Sequence, residues 1–223
     1  MCSSDLIDDA VRRILRVKAA LGLFERPFSN PALLERLGCQ AHREVARECV
    51  RESLVLLKNE RQTLPLSKSL KRLLVVGKGA NDIGMQCGGW TIDWQGKTGE
   101  VISGGTTLLD AVRKTVSKET AVIHGWDKIH EADALIVVIG ETPYAEMHGD
   151  RDNLSLSVED IETVNKARAA NIPMVVVMIC GRPLLLDGVL DKTDALLVAW
   201  LPGTQGEGID RKSTRLNSSH VSQ

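Results

Sequence analysis

The chain has 223 residues, 43% apolar and 26% charged, with 28 Lys plus Arg against 29 Asp plus Glu for a net charge of −1. That length can bury roughly 70% of the unfolded surface in one large domain or one domain with appended pieces. The balance of charge excludes a strongly basic nucleic-acid binder and an acidic disordered tail, and no run approaches the roughly 18 apolar residues of a membrane span.

At the start, Cys2-Ser3-Ser4-Asp5-Leu6 resembles the literal translation of a sequencing-library adapter, and no charged stretch followed by an apolar core marks a signal peptide. Residues 1–6 are therefore expected to be foreign. Ile7 to Leu21 reads as an amphipathic helix, with Ile7, Val11, Ile14, Leu15 and Leu21 at three- and four-residue steps and Gly22 as its C-cap. Leu23 to Gln40 carries Pro27, Asn30 and Pro31 and reads as a linker. A second helix is predicted from about Ala41 to Lys58, with Val45, Cys49, Leu54 and Leu57 on one face.

From Leu64 the texture changes. Short, continuous apolar runs at Leu73 to Val76, Ala121 to Ile123, Ala134 to Ile139, Met174 to Ile179 and Ala195 to Trp200 suit strands buried on both faces. Helical stretches lie between them at Thr106 to Val116 and Ser157 to Ala169, the latter opened by Ser157 and Asp160 in a near capping box. Strands alternating with helices predict an α/β fold, a mostly parallel, doubly wound sheet. Asp210 to His220 has no periodicity and resembles the matching adapter, so 7–209 is expected to be natural sequence that continues in both directions.

Parallel α/β sheets bind ligands at the carboxyl ends of their strands. The segments leaving those ends are 77–99, 141–156, 181–183 and 201–208, rich in Gly, Pro, Trp and acidic residues. The turn Gly77-Lys78-Gly79 is a partial dinucleotide motif, but Asp82 stands where its third glycine belongs. Gln86 to Gly96 holds Trp90 and Trp94, which serve either as core anchors or as sugar-stacking platforms. Four of the seven aromatic residues are Trp. Gly140 to Asp152 gathers Glu141, Tyr144, Glu146, His148, Asp150, Arg151 and Asp152. It reads either as a hydrophilic surface loop or as a seat for a carboxylic acid whose pKa an aromatic environment raises for general acid work. Glycoside hydrolysis uses two carboxylates, and Asp150 and Asp152, four and six residues beyond Glu146, leave a local acid pair open. His148 is the one histidine set among acids. The five cysteines, Cys2, Cys39, Cys49, Cys87 and Cys180, form no metal-type spacing, so no metal and no cofactor is expected.

The series from Ile7 through Lys18, Leu21-Gly22-Leu23-Phe24, His42 through Glu48 and Ser53 through Asn59 resembles glycoside hydrolase family 3. The loops 86–96, 140–150 and 199–203 strengthen the resemblance, nearest to its β-glucosidase and β-glucan exo-glucohydrolase branch. It extends over residues 7–209 in family order. It implies a two-domain retaining glycosidase: a TIM-like barrel with the nucleophilic aspartate, then an α/β sandwich lending the acid/base from a loop. On this resemblance, 7–22 is the last helix of a missing barrel, 23–63 a linker and lead-in helix, and 64–209 a sandwich truncated at its C-terminal end, with 210–223 artefact. The acid/base position falls on Glu146 and a sugar-clamping ring on Trp90, with Glu141 and Asp150 supporting. Ile92-Asp93-Trp94 superficially matches the barrel's nucleophile motif, but its neighbours set it in the sandwich loop, so Asp93 is not assigned that role.

The resemblance further implies a β-glucoside or β-glucan substrate, the missing barrel as partner within the same polypeptide, and a periplasmic or extracellular location. No nucleic acid and no membrane span is expected. The chain alone is expected to be inactive, and loss of the final sandwich elements to leave an unpaired sheet edge. A stand-alone carbohydrate-binding module and a nucleotide-binding α/β domain are the competing readings.

Overall fold

The computed structural model describes residues 3–67 and 69–209. The suggested adapter segment 210–223, with Met1 and Cys2, lies outside them. The chain divides into two compact units, with the boundary between Arg43 and Glu44.

In the first unit, helix α1 runs Ser3–Ala20 and so includes residues read as foreign. Gly22 at φ +66° closes it, with the Leu23 N–H donating to the Lys18 carbonyl at 3.0 Å. The expected linker contains one short 3₁₀ turn, Pro31–Arg36, capped by the Asn30 side chain accepting from the Ala32 N–H. No residue from 4 to 43 is buried.

Helix α2, Gln40–Ser53, runs from the first unit into the second. It stops five residues short of the predicted end, and Val55–Asn59 form strand β1 instead. The reason is tertiary. Leu54 and Val50 turn into the core, and β1 pairs antiparallel with the last strand, Val55 opposite Val198 and Asn59 opposite Ala195. Local helix periodicity loses to those ladder bonds. The Asn59 side chain then locks the exit, both accepting from the Leu64 N–H and donating to the Leu64 carbonyl at 2.9 Å.

The remaining strands are β2 Arg72–Val76, β3 Ala121–His124, β4 Ala134–Gly140, β5 Met174–Ile179 and β6 Ala195–Trp200. Their order in the sheet is β1-β6-β5-β4-β2-β3, all parallel except β1. The doubly wound, mostly parallel sheet is therefore as the apolar runs predict. Strand β1 covers one side of β6 and forms the edge of the sheet there.

Alternate residues of each central strand supply two cores. Val75, Ile136, Val138, Val177 and Leu197 face α2 and helix α4, Leu108–Thr115. Leu74, Leu135, Val137, Val176 and Leu196 face helix α5, Val158–Arg168. Strands sealed on both faces have no polar side, which explains why the runs are continuous rather than alternating. Helix α3, Ile83–Cys87, is a single turn after β2.

The order in which strands are added reverses between β2 and β4: β3 lies outward of β2, whereas β4, β5 and β6 build toward the other edge. Such a switch point opens a crevice at the carboxyl ends of the strands. The loops that reach it are tied together by Gln86, which is fully buried. Its Nε2 donates to the carbonyls of Thr106 and Gly203, each at 3.1 Å, and its Oε1 accepts from the Leu108 N–H at 2.8 Å. One side chain on α3 thus ties the lead-in to α4 to the segment after β6.

Candidate active site

Two loops meet at the carboxyl edge. The first, 88–99, follows α3; the second, 141–156, follows β4. Their contact requires glycine. A Cβ on Gly89 would run into the Tyr144 carbonyl, and one on Gly96, at φ +73°, into the Gly88 carbonyl and the Pro143 ring. Trp90, Ile92 and Met147 hold positive φ of 62°, 64° and 65°. For a β-branched residue such as Ile92 this backbone is strained, and strain of this kind gathers at functional loops.

Glu146 stands exposed in the second loop. The Trp94 indole Nε1 donates to its Oε2 at 2.7 Å. That donor, with a backbone hydrogen bond from its own residue, holds the Glu146 carboxyl below the usual glutamate range. Of the two open readings of this loop, the chain by itself shows the hydrophilic, exposed one. The loop leaves the carboxylate in solvent, and its hydrogen-bond partner is an aromatic N–H rather than Asp150 or Asp152. Trp90 lies 70% exposed, its ring 6.4 Å from that of Trp94 and tilted by 54°. Of the two open alternatives for the tryptophans, neither is a buried anchor. Trp94 meets His148 edge-on at 6.5 Å. Trp90, Trp94 and Glu146 thus form one continuous rim.

Glu141 does different work. It is half-buried, ion-paired with Arg182 at 3.2 Å and Arg151 at 3.3 Å, and accepts from the Tyr144 hydroxyl at 3.1 Å. Arg182 lies 3.9 Å over the Tyr144 ring and its Nε donates to that hydroxyl at 2.8 Å. Burial, then the Glu141 charge, push the Tyr144 phenol up. Glu141 is thus a brace between the β4 and β5 loops. Asp150 is exposed at the end of the turn, its N–H bonded to the Met147 carbonyl at 3.1 Å.

Beside this rim lies a cavity of about 520 Å³, lined in part by Lys78, Gln95, Glu141, His148, Arg151 and Arg182. Lys78, from the glycine turn, donates to Asp160 at 3.0 Å. Asp82 caps α3, accepting from the Met85 and Gly99 N–H groups at 2.8 Å. A carboxylate therefore sits where a dinucleotide would need its phosphates, which speaks against the nucleotide-binding reading. Asp93 pairs with Lys97 at 2.8 Å, and that partner lowers its pKa. Among the described residues no cluster of three His, Cys, Asp or Glu side chains could hold a metal, and no helix is long and apolar enough to cross a membrane.

Sequence reading brings Glu146 and Trp90 to one rim but misses the parts played by Trp94, Gln95 and Arg182. All three sit in the segments marked as leaving strand ends; nothing in a one-dimensional pattern tells which loop side chain reaches which other loop.

Residues 54–211 match the Glycosyl hydrolase family 3 C-terminal domain, and the chain belongs to that family. It is 33% identical to the lysosomal beta glucosidase of Dictyostelium discoideum over 90% of this chain and 27% of that protein. It is 29% identical to the periplasmic beta-glucosidase of Salmonella typhimurium, over 90% and 31%. Among solved structures, an exo-1,3/1,4-beta-glucanase from a Pseudoalteromonas species superposes with TM-score 0.86 and 40% identity, covering 93% of this chain and 27% of that one. A beta-glucosidase from Listeria innocua gives 0.81 and 26%, covering 95% and 30%. The chain thus spans about a third or less of the length of these relatives.

Proposed function

We propose that this chain is the acid/base-bearing portion of a retaining, exo-acting β-glucosidase, with Glu146 as the general acid and base and Trp90 as the sugar-stacking ring. The observation that carries the reading is Glu146 itself: an exposed carboxylate at the carboxyl edge of a family 3 sandwich, held by an indole beside an open tryptophan face. The nucleophile, an aspartate, would come from a barrel portion of the same polypeptide outside this chain. In the first step that aspartate attacks the anomeric carbon, while protonated Glu146 gives its proton to the departing glycosidic oxygen. In the second, the Glu146 carboxylate takes a proton from water, whose oxygen displaces the aspartate. Retention requires the two carboxyls about 5–5.5 Å apart. Ionised by its indole partner in the free domain, Glu146 becomes an effective acid once sugar and barrel exclude water from it. Glu141 and Asp150 support the loop, Glu141 through its arginine brace.

In the full-length enzyme that carries this chain, Glu146→Gln is expected to lower kcat/KM for alkyl β-glucosides about 10²–10⁴-fold and to spare substrates with activated leaving groups. Steady-state kinetics on both classes check this, and equal kinetics to wild type would remove Glu146 from the role. The chain by itself, lacking one of the two carboxylates, is expected to turn over neither.

The open face of Trp90 favours a second reading, a carbohydrate-binding module without catalysis. Glucose or β-glucan binding abolished by Trp90→Ala, with no hydrolysis by the full-length protein, would select it.

A further inference from the structure

Gln95 lies next to the tryptophan that holds the Glu146 carboxylate, and it holds the backbone of the same residue. Its Oε1 accepts from the Ala145 N–H at 2.9 Å and its Nε2 donates to the Glu146 carbonyl at 3.2 Å. Only one orientation of the carboxamide satisfies both bonds; the flipped one would set oxygen against oxygen and N–H against N–H. We propose that Gln95 is a positioning residue for the acid/base step: one side-chain amide clamps the backbone on both flanks of the Ala145–Glu146 segment and so sets the height and direction from which the carboxyl meets the glycosidic oxygen. The proposal rests on the reading of Glu146 as the acid/base.

The clamp matters because little else fixes this stretch. Glu146, Met147 and His148 are all exposed. The turn is closed only by short-range bonds, His148 N–H to the Glu146 carbonyl at 2.8 Å and Gly149 N–H to the Ala145 carbonyl at 2.9 Å. Such bonds shape the turn without placing it. Gln95, half-buried and fifty residues away in sequence, supplies the external reference. Its own backbone is held by the Asp93 carboxylate, which accepts the Gln95 N–H at 3.2 Å, and the Gly89 and Gly96 contacts bring its loop close enough to reach. Trp94 and Gln95 together make three hydrogen bonds onto residues 145 and 146, one to the reacting carboxyl and two to the main chain that carries it. Proton transfer in the transition state needs hydrogen-bond distance to the leaving oxygen, and a displacement of about 1 Å costs on the order of 10²-fold in rate.

The test is leaving-group dependence in the full-length enzyme that contains this chain. Gln95→Ala is expected to lower kcat/KM for an alkyl β-glucoside, whose leaving oxygen needs a proton, by about 10–100-fold. For a dinitrophenyl β-glucoside, whose leaving group departs unprotonated, kcat/KM should change less than about twofold, since that step draws no proton from the acid. Gln95→Glu keeps the acceptor for Ala145 and removes the donor to the Glu146 carbonyl. By setting a carboxylate oxygen against that carbonyl it should show the same split, and it carries the test if the alanine variant does not fold. Glu146→Gln is run alongside. If it shows the split and the Gln95 variants lose equally on both substrates, or lose nothing, Gln95 is a structural residue only and the proposal is overturned while Glu146 stands. If Glu146→Gln itself shows no split, the acid/base reading falls, and the positioning role with it.

Discussion

The Trp94–Glu146 hydrogen bond couples a loop anchor to a titrating group. Its donor keeps the carboxyl below the ordinary glutamate range, so the carboxylate form is favoured in the folded protein. The sign follows by linkage: the bond contributes above the unfolded glutamate pKa and is lost as pH falls through the lower folded value. Trp94→Phe keeps the ring and deletes the N–H. The Glu146 pKa is then expected to rise, moving the basic limb of the kcat/KM profile of the full-length enzyme to higher pH, because the acid stays protonated longer. A limb that stays in place would mean that the indole does not govern the Glu146 carboxyl in the free full-length enzyme. Glu141, by contrast, has both carboxylate oxygens engaged, by Arg151 and Arg182 and by the Tyr144 hydroxyl.

Among elements, the N-terminus of α5 is where sequence pattern and structure agree most closely. Ser157 caps it, accepting from the Asp160 N–H at 3.1 Å, as the Ser-x-x-Asp spacing predicts. The Asp160 carboxylate does more than the pattern promises. It is buried, accepts from the Ser157 hydroxyl at 2.7 Å and from Lys78 at 3.0 Å, and so pins the helix to the turn after β2. Ser157→Ala is expected to cost about 1 kcal/mol through the cap alone. Lys78→Met should cost more, about 1–3 kcal/mol, since it leaves a buried carboxylate with only the Ser157 hydroxyl and a long, 3.5 Å bond from the Gly140 N–H. Urea midpoints at unchanged slope measure both, and a wild-type midpoint in Lys78→Met would mean that the lysine contributes nothing to docking. The central strands were legible because residues such as Ile136 and Val137 must satisfy two cores at once, leaving no polar alternation. Strand β1 was not legible. Ser53 and Leu54 carry no glycine or proline to mark the end of α2, and the pairing that makes 55–59 a strand lies about 140 residues away at β6. The acid loop was legible as a cluster of carboxylates after a buried strand. Its wiring to Trp94 and Gln95 was not, since a bond between two irregular loops leaves no periodicity in either.

At the scale of the molecule, the two units differ in kind. The second carries both hydrophobic cores, with side chains such as Leu74, Leu135 and Val176 fully buried. The first has α1 and a short 3₁₀ turn but no core: Leu6, Ile7, Ile14, Leu21, Phe24, Phe28 and Leu37 are each more than half exposed. Isolated helices of this length are marginal in water, and most helical stability comes from packing an apolar face. Large apolar side chains left this exposed are an association hazard. The protein as this chain is therefore expected to self-associate with rising concentration and to bind a hydrophobic dye, read by light scattering and fluorescence. Replacing Ile7, Ile14 and Leu21 together with Lys should restore a monomer and abolish dye binding, while the urea midpoint of the second unit, which owes nothing to these side chains, stays where it was. A variant that still associates would move the source of association to the second unit, where the half-exposed edge strand β1, with Val55 and Leu56 open to solvent, is the next surface able to pair.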